Sequence, residues 1–331
     1  PPRSTLFPYT TLFRSAAALM REGWRPRLDL GMGGPFRQIV RLMGPTVFGS
    51  AIYLINMAVS RFIGLSLNES AVALLNLATR LMELPIGVFT MAVSTVVFPL
   101  IARHAAAGDW AQHGRAYLKG LRLILVINVP AAMGLALLAT PIIRVLFERG
   151  AFAAGDTAEM RPVLVAFALG LPFLSFVNLV LRAYYAQKDT ATPVRAAALS
   201  FLLNLGLSLI LMVPWGTVGL AVAGNVAVVA QAIYLQRRLV RRREELAFRH
   251  VTRDLGKVVL AAALMGAWVA AAQWAWERHA PSGTWADLLG LAVVIGSAVL
   301  LYGGLVWSLR IEGRDDLAAV LGRMRAKLGA G

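Results

Sequence analysis

Cysteine is absent from the 331 residues. That excludes a disulfide framework, a thiolate metal site and a cysteine nucleophile. Charge is also scarce: 15% of the residues are Asp, Glu, Lys or Arg, where a soluble domain carries about a quarter. Acids are rarer still, 17 against 33 bases, and histidine occurs four times. Within the long apolar runs the scarcity is greater. Glu83 is the sole acid well inside one, Arg61 and Arg80 are the bases there, and no lysine joins them. His104, His113, His250 and His279 fall in expected loops or at span ends. An intramembrane hydrolase or metalloenzyme needs several such groups converging on one point. A Ser–Lys dyad needs a lysine within a span. The chain is therefore not read as an enzyme.

What is abundant is hydrocarbon, 58% of the residues. About 20 apolar residues cross a bilayer as a helix. Eight segments meet that length: 43–65, 70–102, 119–139, 161–186, 193–213, 217–237, 255–276 and 286–309. The expected fold is all-α, a polytopic transmembrane bundle over 43–309 with no soluble domain. Residues 16–42 mix basic and apolar side chains and read as a cytoplasmic interfacial segment. Residues 310–331 read as a cytoplasmic tail, with Leu317, Val320, Leu321, Met324 and Leu328 at amphipathic helical spacing. The opening PPRSTLFPYTTLFRS, residues 1–15, contains a near-repeat and is expected to be adapter-derived, with the natural start upstream. It does not resemble a signal peptide.

The net charge of +16 does not point to nucleic acid, because the bases lie between apolar spans and not on a soluble face. If the first span enters from the cytoplasm, the inside segments are 16–42, 103–118, 187–192, 238–254 and 310–331. These hold most of the Lys and Arg, including QRRLVRRREELAFRH at 236–250. The loops 66–69 and 214–216 hold none, and the loop 140–160 is an exception with Arg144 and Arg149. This asymmetry predicts both ends inside, and makes the Arg-rich run an orientation signal, with lipid headgroups as its alternative contact.

The stretch LNLATRLMELPIGV, residues 75–88, stands out. Asn76, Arg80, Glu83 and Gly87 share one helical face, while Leu75, Ala78, Met82 and Ile86 share the other. Pro85 lacks an N–H and cannot bond the Leu81 carbonyl, so a bend is expected there, with Gly87 adding compliance. A charge in the bilayer is costly and should face a partner or a cavity. Arg80 therefore reads either as locked to Glu83 or as a cavity fork for an anionic substrate, phosphate above all. Arg61, near the outer end of the first span, can snorkel. Ser60, Asn225 and the i,i+4 pair Asn204 and Ser208 read as interhelical hydrogen-bond formers, with a carboxylate-free cation site as the alternative.

Three stretches together, LNLATRLMELPIGVFTMAVSTVVFPLIAR (75–103), LFERGAFAAGDT (146–157) and RAYYAQKDTATPVR (182–195), resemble the MurJ/MviN family of lipid II flippases in the multidrug/oligosaccharidyl-lipid/polysaccharide (MOP) exporter superfamily. The resemblance spans residues 16–331. It implies a fold of fourteen helices in two lobes, of which the eight spans here resemble the last eight, with the first lobe a missing partner. It implies transport of an undecaprenyl-pyrophosphate-linked glycopeptide across the bacterial inner membrane by alternating access. Arg80 then matches a cavity arginine and Glu83 its acidic partner, with Asn76 and Arg61 beside them and Pro85 and Gly87 as hinge. Where the family often has Tyr and Asp, this chain has Leu77 and Thr79. The resemblance also implies a candidate sodium site at Ser60, Asn204, Ser208 and Asn225, with serine in place of the family's acids, or the membrane potential as driving force. No other cofactor is expected. The competing functions are export of another polyprenyl-linked glycan, a non-transporting scaffold for cell-wall synthesis and, last, a lipid-modifying enzyme. The loop motifs predict that Gly150 ends a short helix and that Asp189 or Thr190 caps the helix beginning near Pro193.

Overall fold

The computed structural model describes Met20 and residues 34–67, 69–248, 251–279 and 283–310. The expected adapter stretch, most of the interfacial segment and the tail helix lie outside the described residues. The chain divides into two units, 1–43 and 44–331. In the first, the described backbone is helical from Gly34. The second carries the bundle.

The helices are α1 (Gly34–Leu67), α2 (Glu69–Pro85), α3 (Met91–Ala106), α4 (Trp110–Leu137), α5 (Ala139–Phe147), α6 (Ala154–Ala186), α7 (Ala191–Arg242), α8 (Thr252–His279) and α9 (Thr284–Ser308). A π-helical turn, Ile86–Thr90, joins α2 to α3. Among the described residues, six helices are long and apolar enough to cross a membrane. The eight expected spans all fall on helical backbone, to within a residue or two at their ends.

α7 contains two of those spans. Gly216 breaks it, with φ 51° and ψ −129°, a conformation open to glycine and strained for other residues. A Cβ built on Gly219 would lie 2.2 Å from the Leu211 carbonyl oxygen. Residues eight apart in one straight helix are about 12 Å apart, so the chain doubles back here and α7 is a hairpin.

α6 packs against α2, α3, α4, α5 and α7, while α4 also carries α8, which holds α9. One cluster joins Val97, Ile101, Leu121, Ile124, Leu179 and Leu235. A second joins Leu74, Ala78, Ile143, Met160, Leu164 and Ala221. In lipid such contacts win by close packing and hydrogen bonds, because tails are as apolar as leucine. Gly120 shows the first: its Cβ position is 2.7 Å from Val97 Cγ1, so α3 and α4 meet at the backbone. Tyr302 shows the second. Pro130 cannot bond the Val126 carbonyl, and the Tyr302 hydroxyl of α9 donates to that oxygen at 2.7 Å.

One loop expectation shifts, and the choice left open at the start of α7 falls to Asp189. The helix before LFERG ends at Phe147, and Gly150, at φ 64°, lies in the turn beyond it. At the start of α7, Thr190 makes no side-chain cap. Asp189 does the work: its carboxylate accepts from the Thr192 N–H at 2.9 Å and the Thr192 hydroxyl at 2.7 Å. It also pairs with Arg242 from the far end of α7 at 2.5 Å. Burial alone would raise the Asp189 carboxyl, but these hydrogen bonds and the guanidinium hold it below its ordinary value.

Candidate functional site

α2 is built on a two-sided pattern. Ala71, Leu74, Ala78, Leu81 and Met82 are buried. Arg80, Glu83 and Gly87 are exposed and Asn76 is half-buried on the opposite side. The polar stripe read from the spacing is therefore present, and it faces away from the core. Arg80 and Glu83 do not form an ion pair, and neither has an ion-pair partner among the described residues; the lock between them is not made. The Arg61 guanidinium instead donates to the Asn76 amide oxygen at 3.4 Å. That contact ties α1 to the stripe one turn from Arg80. The π turn begins at the residue after Pro85 and includes Gly87, where the bend was expected.

The amide and hydroxyl residues separate into two sets. Asn204 of α7 donates to the Asn56 amide oxygen at 2.8 Å and to the Ser60 hydroxyl at 3.3 Å, both on α1. Ser208 donates to the Asn204 oxygen at 3.5 Å. Asn225 stands apart from this cluster. Its amide donates to the Ala166 carbonyl, and it lies over Gly170, where a Cβ would be 2.0 Å from the Asn225 oxygen. A cavity of about 150 Å³ is shared by the two sets, lined by Asn56, Met82, Phe167, Ser200, Asn204 and Asn225.

These groups do not fit a sodium ion. The centre of the cluster is an amide NH₂ donating to two oxygens, so hydrogens point where a cation would need lone pairs. No carboxylate is present, and no cluster of three acids or histidines exists among the described residues. Hard cations take oxygen ligands, usually with carboxylates among them. What the cluster does is tie α1 to α7.

Two further sets were not anticipated. Asn56 was overlooked although it sits one helical turn before Ser60, a spacing that marks a polar face. Thr90, Asn128 and Ser175 form a buried contact between the π turn, α4 and α6, and each lies within five residues of a helix proline.

A membrane bundle of this layout, with a proline-bent helix presenting a charged stripe beside its core, has the fold of a MOP-type lobe. Solved structures agree on the fold. "Lipid II flippase MurJ, inward closed conformation" superposes with a TM-score of 0.67 at 24% identity, covering 90% of this chain and 59% of that one. A MOP superfamily transporter from Pyrococcus furiosus superposes at 0.57 with 18% identity, covering 85% and 68%. The family described as "Lipid II flippase MurJ" matches residues 12–286. The chain belongs to that family. It is 34% identical over 260 residues to the probable lipid II flippase MurJ of Haemophilus influenzae, covering 77% of this chain and 50% of that protein. It is 32% identical over 267 residues to the Rhizobium tropici protein of the same name, covering 80% and 50%. The chain thus spans about half the length of the curated relatives it matches.

Proposed function

We propose that this chain forms one lobe of a flippase that carries an undecaprenyl-pyrophosphate-linked glycopeptide, lipid II, from the inner to the outer leaflet of the bacterial cytoplasmic membrane. The observation that carries the reading is the α2 stripe: Arg80 exposed and free of an ion-pair partner among the described residues, on a helix whose other face is core. A guanidinium in that state is a fork for pyrophosphate oxygens. The second lobe, supplied by the remainder of the protein, faces this stripe, and the two lobes rock about the cavity between them. The polyprenyl tail stays in lipid.

The reaction is binding and release. It needs no covalent step. Driving force comes from the membrane potential. Moving negative charge out of a negative-inside cell is downhill by about 2.3 kcal/mol per charge per 100 mV, and the Asn56–Ser60–Asn204–Ser208 cluster serves as a tie without sodium. Both chain ends lie in the cytoplasm, as the excess of Lys and Arg in alternate loops requires.

The test is complementation in cells depleted of their lipid II flippase, using the full-length gene that carries this chain. The natural gene restores growth, and its Arg80→Ala version, present in the membrane in equal amount, does not. Failure of the natural gene would move an exporter of another lipid-linked glycan to the front.

A further inference from the structure

The buried positions of α2 step along 71, 74, 78 and 82. At 3.6 residues per turn they would continue near 89, 92 or 93, 96 and 100. Among the described side chains, the buried positions of the π turn and α3 are Thr90, Val93, Val97 and Ile101, with Val97 and Ile101 one residue later than that count. A π turn inserts one extra residue into a helix. Here that residue rotates α3 against α2 by about 100°. The offset sets the rotation of the Asn76–Arg80–Glu83 stripe relative to the buried face of α3.

The offset is held at one side chain. Thr90 is 1% exposed, and Asn128 and Ser175 are fully buried. The Thr90 hydroxyl donates to Ser175 Oγ at 3.2 Å and accepts from Asn128 Nδ2 at 3.2 Å. Asn128 Nδ2 also donates to the Ile124 carbonyl at 2.9 Å. Asn128 Oδ1 is buried without a hydrogen-bond partner. All three helices are weakened at this level: Pro85 precedes the π turn, Pro130 follows Asn128, and Pro172 precedes Ser175. A proline removes one backbone hydrogen bond and lets a helix bend. The vacant Asn128 oxygen also leaves a second arrangement open, in which Asn128 turns over and the Thr90 hydroxyl donates to it.

We propose that Thr90, gripped by Asn128 and Ser175, is a positioning residue: the grip holds the π turn and so fixes the rotation of the Arg80 stripe toward the substrate path. Releasing it lets the extra residue be absorbed and swings the stripe around the helix axis. The geometric half stands on the contacts above. Its consequence for transport rests on the flippase reading.

Hydrogen exchange of the chain in lipid nanodiscs reads the grip directly, since local opening is reported segment by segment. Thr90→Val keeps the shape and deletes the hydroxyl. It should raise exchange across 86–95 about tenfold, the scale of one lost buried hydrogen bond, and leave α7 and α8 unchanged. Thr90→Ser should exchange as the natural protein does. Unchanged exchange in Thr90→Val, or an equal rise in every helix, overturns the proposal. The paired test puts the same variants in the full-length gene and measures lipid II translocation. Thr90→Val should slow turnover with substrate affinity retained, and Thr90→Ser should restore it. If the natural gene moves no lipid II, the flippase reading fails while the exchange result stands. If Thr90→Val translocates at the natural rate, the positioning role falls.

Discussion

In the proposed flippase, Arg80 would work through its shape as well as its charge. A planar fork holds two phosphate oxygens at once, whereas an ammonium is a point charge. Arg80→Lys should therefore keep membrane insertion and still lose most lipid II translocation, and a transport assay in proteoliposomes decides it. Asp189 makes a different kind of contribution. It closes the first turn of α7 and takes Arg242 from that helix pair's other end. Asp189→Ala should lower stability by about 1 kcal/mol, the usual weight of a helix cap, read as the melting temperature in detergent. The sign with pH follows from its lowered carboxyl value. Its contribution is complete above the ordinary carboxylate range and disappears as pH falls through the lowered folded-state value. Melting curves should thus show the Asp189→Ala deficit at neutral pH and a shrinking one in strong acid.

At the scale of the element, the hairpin inside α7 is the sharpest case. Gly219 meets the Leu211 carbonyl, a backbone atom that cannot swing aside. Gly219→Ala should cost more stability than Gly206→Ala, whose Cβ position is open, and differential scanning fluorimetry of the two variants checks it. The spans themselves were legible because each needs only length and apolarity, which neighbours along the chain supply. The hairpin between 213 and 217 was legible for the same reason. The stripe of α2 was legible because helical periodicity is local. Asn204 was legible as a polar residue, but its partner lies 148 positions away, and no local pattern names it. Thr90 escaped notice because the π turn moves it onto the buried face by one residue, and a 3.6-residue count along α2 does not anticipate that. The short helix α5, nine residues ending at Phe147, was legible in the LFERG motif, but its packing on α6 is not a local property.

For the whole molecule, orientation is the property that charge decides. With no native cysteine, single substitutions report it without background. Ala107→Cys should react with an impermeant maleimide only after permeabilisation, and Ala151→Cys in intact cells. The opposite pattern would overturn the inside assignment of both ends. The family and the all-helical fold followed from sequence because they rest on composition and on three motifs. The hydrogen bond of Asn225 to the Ala166 carbonyl did not, since that partner lies 59 positions away.

The contact between Tyr302 and the Val126 carbonyl also orders events in time. Helices emerge from the ribosome in sequence, and α4 enters the bilayer about 170 residues before α9 is made. Throughout that interval Pro130 leaves a carbonyl in hydrocarbon with no donor, until the hydroxyl of Tyr302 arrives. That carbonyl is therefore satisfied only when α9 docks, and a nascent bundle that stalls before then carries a polar flaw in its wall.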